Sequence, residues 1–208
     1  MKRTLILSVT VLLFIAGVGF YYIYRDEELE VIELAVAKEN VVNDLETVKS
    51  QEEQIFKWIS SKELDTGHLE GKNDDVFNRY RQKKGVVEFL FAAILLEDPN
   101  HFIQSFKVET VSADLFEMDN PNKIEVAAEF LNKISRNGQL ETVGYEDKIG
   151  LFNSESNEAQ VDLHYSDGKK VTLTLSFEKT ATHHDKDDEI YSITTSPLEL
   201  IEVIEKST

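Results

Sequence analysis

The densest run of side chains able to do chemistry is His183-His184-Asp185-Lys186-Asp187-Asp188-Glu189. Imidazoles and carboxylates ligate divalent metals, which makes His183, His184, Asp185 and Asp187 the candidate metal ligands. A solvated hairpin loop is the competing reading. Adjacent histidines on an extended strand point to opposite faces, Lys186 interrupts the carboxylates, and the glycine that a calcium loop requires is missing. The second candidate is Glu88, the one charged residue between Val86 and Leu96. Burial in that apolar run would raise its pKa and suit it to general-base work. On a polar facet of the helix, or paired with a nearby Lys or Arg, it would have no such role. Nucleophile signatures are missing: there is no Gly-x-Ser-x-Gly, no HExxH, no glycine-rich phosphate loop and no cysteine. No cofactor is expected.

Charge narrows the partners. The chain has 39 acidic and 22 basic residues, for a net charge of −17. Only Lys2 and Arg3 among the charged residues precede residue 25, so residues 25–208 carry −19. Such a surface repels nucleic acid and anionic lipid. Zero cysteine removes disulfides and thiolate chemistry together.

Location is written at the start of the chain. Residues 4–24 contain no charge, and about 20 apolar residues span a bilayer as helix. Lys2 and Arg3 favour a cytoplasmic amino end, with Tyr21, Tyr22 and Tyr24 at the far interface. The expected organisation is a cytoplasmic tail (1–3), a transmembrane signal-anchor (4–24), an acidic juxtamembrane stalk (25–40) and an extracytoplasmic α+β domain (41–208). A cleaved signal peptide ending at Gly17-Val18-Gly19 is the rival.

Residues 26–40 are helix-prone and 41–62 read as helix. Leu34, Val41, Val48 and Ile55 recur every seven residues in a broken heptad. That pattern fits packing on the chain's own domain, or self-association through a 31–59 helix. Trp58 stands beside Ile55 and Ile59, as a core residue or, if exposed, an interface residue. Residues 65–71 form a loop, Asn73 or Asp74 caps the next helix, and 86–96 is a buried core helix ended by Asp98-Pro99-Asn100. Alternation of Val111, Ala113 and Leu115 predicts a strand over 107–116. Asn120 as N-cap and Pro121 as first helical residue begin a helix ended by Asn137-Gly138. The last third is strand, followed by a short helix opened by Pro197. At Ser166-Asp167-Gly168 the hydrophobic pattern selects a three-residue loop with Gly168 left-handed, pairing Leu163 with Val171 and Val161 with Leu173.

Helices followed by an antiparallel meander make an α+β fold of helices on a curved sheet of four to five strands. This order, with the apolar helix 86–96, resembles the nuclear-transport-factor-2-like cone fold over residues 41–196. The C-terminal helix departs from that pattern. The resemblance implies a binding or scaffolding role for a membrane-anchored member. Its steroid-isomerase-like enzymes use an interior carboxylate beside tyrosines, which would bring Tyr145, Asp147 and Tyr191 to Glu88. The expected function is a non-enzymatic interaction module of the bacterial envelope, with an envelope protein and membrane lipid as partners. A small cone-fold ligand binder or enzyme is the alternative.

Overall fold

A computed structural model describes residues 29–46, 79–149, 155–181 and 189–207. The anchor 4–24, the helix beyond residue 46, the 65–71 loop, the caps at Asn73 and Asp74, Trp58 and the run His183–Asp188 lie outside the described residues. No described helix is long and apolar enough to cross a membrane.

The fold is α+β: six described helices pack against a curled, five-stranded antiparallel sheet. In chain order the elements are β1 (Glu30–Ile32), α1 (34–46), α2 (Lys83–Leu95), α3 (Pro99–Gln104), α4 (Val108–Glu117) and α5 (Lys123–Ser135), then β2 (Leu140–Ile149), β3 (Glu155–Tyr165), β4 (Lys170–Ala181), β5 (Glu189–Ile193) and α6 (Pro197–Lys206). The strands lie in the order β1-β2-β3-β4-β5.

Of residues 26–40, 34–40 are helical as expected, while Glu30–Ile32 depart from that expectation. Glu30–Ile32 forms an edge strand paired with β2, Ile32 opposite Val143. Two β-branched residues favour the pleated backbone, and Ile32 is buried against the sheet's neighbours. The span 31–59 is therefore not one continuous helix. Within α1, Leu34, Ala37 and Val41 recur at helical spacing and are all buried in the molecule's own core.

α2 is the core helix anticipated, buried from Val86 to Ile94 except at Glu88. Its first turn meets the preceding chain closely: a Cβ on Gly85 would lie 2.0 Å from the Arg79 carbonyl oxygen. Glu97 adopts φ 52° past the helix end, and Asp98 caps α3 by accepting from the Asn100 and His101 N–H groups at 2.9 and 3.2 Å.

Residues 107–116 do not form the predicted strand; Val108–Glu117 is helix. Its buried positions are Val111, Asp114 and Leu115, spaced for a helix and not for a strand. Asp114 is buried because it caps another element. Its Oδ2 accepts from Ser196 Oγ at 2.5 Å and from the Leu198 N–H at 2.9 Å, at the start of α6. The start of α5 also shifts: the cap is Asn122, not Asn120, and its side chain accepts from the Glu125 N–H and donates to Glu125 Oε1. At the other end Arg136 is the first left-handed residue (φ 51°), followed by Asn137 and Gly138.

The β3–β4 hairpin has the register the apolar pattern requires. Leu163 faces Val171, Val161 faces Leu173, and Gly168 is left-handed at φ 83°. α6 buries Leu200, Ile201 and Ile204, with Leu198 partly covered.

Candidate functional site

Two lysines open α2, and the helix delivers them to the rim of the sheet. Lys83 is only 6% exposed. Its ammonium donates to Asp147 Oδ1 on β2 and, at 2.8 Å, to the Ser156 carbonyl on β3. Lys84, one residue on, donates to Glu30 of β1 and stands 3.9 Å from Glu88. An apolar helix thus enters the core with its leading charges neutralised by the strand ends it covers.

The four candidate catalytic residues gather loosely around this pair. Asp147 is half-exposed at the rim. Tyr145 lies two residues away on the same face of β2, buried. Burial, above all, pushes its hydroxyl well above the usual phenol value, and the adjacent Asp147 carboxylate, to which it is hydrogen-bonded, adds to this. Glu30, opposite Tyr145 in the ladder, links the pair to Lys84 and so to Glu88. Glu88 is on the polar facet of α2 with 28% of its side chain exposed. Burial raises its pKa, Lys84 lowers it and Glu30 raises it again. Tyr191 packs edge-on against Phe177, with Lys179 Nζ 5.1 Å from its ring centre. The structure therefore joins Tyr145 with Asp147 directly, and Glu88 only through a lysine and a second carboxylate.

Chemically, this rim holds two ammonium–carboxylate pairs and a buried phenol. Lys83 donates to Asp147 Oδ1, and Tyr145 also hydrogen-bonds to this carboxylate. Glu30, Lys83 and Lys84 were not anticipated from the sequence. The one signal was position: Lys83-Lys84-Gly85 opens a helix that is apolar from Val86 onward except at Glu88, and a charge carried to such a boundary needs a partner.

A second polar cluster sits beside a groove. Asp44 of α1 is buried with Arg79 Nη1 3.3 Å from its Oδ2. Burial raises the Asp44 pKa and Arg79 opposes it. Tyr80 is pushed up to about 12, chiefly by burial. Asp44, Leu45, Tyr80, Val86, Phe89, Gln104 and Ser105 enclose, with Ile190 to Ser192 of β5, a groove of about 290 Å³. A hollow of about 570 Å³ shares Gln104 and Ser192 and continues past Phe106 to Lys107 and Glu178.

Of the candidate metal ligands, His183, His184, Asp185 and Asp187 lie outside the described residues. Among the described residues no three His, Asp or Glu side chains converge to hold a metal ion. Compared with protein-family models, curated proteins and solved structures, the chain matches none.

Proposed function

We propose that this chain is a membrane-anchored, extracytoplasmic interaction module of the cell envelope, built on a nuclear-transport-factor-2-like cone. The observation that carries this reading is the filled concave face of the sheet. Val143, Val161, Leu163, Leu173 and Leu175 are at most 3% exposed and pack against α2, α3 and α5 in one core cluster. A cone that works on a substrate keeps that space open beside a free carboxylate. Here the rim carboxylates Asp147 and Glu30 each hold a lysine. The strongly acidic surface favours a neutral or basic protein partner.

Site-specific photo-crosslinking of the full chain in its native cell tests this. Probes placed at Gln104, Phe116 and Val203 should give a discrete adduct with one protein from at least one face. No adduct from any position would overturn the reading. A second reading, a ligand binder or enzyme, draws on the Tyr145–Asp147 contact. It expects Tyr145→Phe, which leaves the Lys83–Asp147 pair in place, to abolish the cellular phenotype with the fold intact. The interaction reading expects that variant to behave as wild type.

A further inference from the structure

Among the described residues the outer edge of β5 is paired only at Ile193. Ile193 donates its N–H to the Ser105 carbonyl (3.2 Å) and accepts from the Lys107 N–H (2.8 Å), which makes a parallel bridge at Phe106. Backbone groups alternate between the two edges of a strand. Ile193 points outward, so Tyr191 does as well, while Ser192 points toward β4. The Thr194 N–H, which donates to the Ser176 carbonyl, follows the same alternation. The segment 105–107 cannot extend to Tyr191, because the chain before it is already the helix α3. Among the described residues nothing pairs with the outward N–H and C=O of Tyr191, although the residue is only 8% exposed.

Tyr191 is one of the residues that line the groove of about 290 Å³. Its lining includes the apolar side chains Leu45, Val86 and Phe89, and its one carboxylate, Asp44, already faces Arg79. The groove offers a backbone donor and acceptor on one residue of a strand edge. Extended polypeptide supplies the matching acceptor and donor at that spacing. The same edge already takes an extended parallel partner at Ile193.

We infer that the groove between β5 and α2 is a strand-addition site for an extended segment of a partner protein, which pairs with the Tyr191 backbone and inserts one apolar side chain between Val86 and Phe89. This rests on the interaction reading and names where that interaction occurs. The partner segment is apolar and flanked by Lys or Arg, since the domain's charge of −19 repels acidic peptides. The same repulsion disfavours a second copy of the chain.

The test is selection of random heptapeptides displayed on phage against the immobilised full chain. Enriched peptides should carry an apolar residue beside Lys or Arg. A synthetic copy of the best peptide is then N-methylated one position at a time. Strand addition predicts at least a tenfold loss of affinity at the one position whose N–H meets the Tyr191 carbonyl and little change at its two neighbours. Gln104→Trp, which fills the groove from the end of α3, should lose binding by tenfold or more. Phe116→Ser, outside both hollows, should not. Enrichment of no peptide or of acidic ones, indifference to N-methylation, or full binding by a folded Gln104→Trp protein would overturn the assignment. If that happens while crosslinks form from Phe116 or Val203, the interaction reading stands and only the groove is lost. If no crosslink forms anywhere, the interaction reading itself fails.

Discussion

Lys83 is held at its buried position by two acceptors on different strands. Replacing it with Met keeps the apolar stem but leaves the Ser156 carbonyl without that donor and Asp147 without its cation. A loss of about 1–3 kcal/mol is expected, read as a lowered urea midpoint. Glu88 and Asp98 should titrate in opposite directions. At Asp98 burial pushes the pKa up, but hydrogen bonds from the His101 ring and backbone and the Asn100 N–H outweigh it, so the folded value falls below 3.8. Its contribution to stability is present above 3.8 and is lost as pH falls through the lower folded value. Glu88, raised above its ordinary 4.5 by burial, contributes fully below 4.5 and loses that contribution as pH rises through its folded value. Carboxyl-carbon NMR titration checks both signs; a Glu88 midpoint at or below 4.5 would contradict the burial described here. Of the residues singled out in the sequence, the structure brings Tyr145 and Asp147 together, with Glu88 linked to them through Lys84 and Glu30. The lysines were not legible in the sequence, because burial of a lysine depends on which carboxylate and carbonyl the fold brings to it.

Elements were legible where one pattern explained every residue in them. The β3–β4 hairpin is such a case, as alternation and Gly168 allow one register. Gly168→Val should cost about 1–2 kcal/mol. Nothing stands within 4 Å of a Cβ there, so the penalty is backbone strain alone. Thermal unfolding would show it. α2 should be less forgiving. Phe91 is 1% exposed, and Phe91→Ala should cost about 3–5 kcal/mol by denaturant titration. α4 was misread because one of its three buried positions is Asp114, which erased the apolar stripe that marks a helix. What Asp114 caps is 82 residues away, beyond any local pattern. Asp114→Ala should destabilise by about 1–2 kcal/mol, with amide exchange rising first at Leu198 and Glu199. β1 was hidden for a related reason: three residues carry no period, and its partner strand is distant in sequence.

At the scale of the whole molecule, the acidic domain, the uncharged run 4–24 and the filled sheet lead to one expectation. On the anchor reading proposed above, the mature chain should fractionate with membranes and keep residues 4–24 attached. Amino-terminal sequencing of the membrane fraction checks this. A chain beginning near Phe20 would replace the anchor with a cleaved leader.

Pairing of β1 with β2 also sets a timetable. β2 to β5 form a meander in which each strand meets the one just made. Ile32 instead pairs with Val143, about 110 residues later. At a synthesis rate of about 5–20 residues per second, that gap lasts roughly 5–20 s. Through that interval Val31 and Ile32 have left the ribosome with no strand to join. The first strand made waits longest for its partner, and a stall in translation between residues 33 and 140 would leave its apolar edge available to whatever lies nearby.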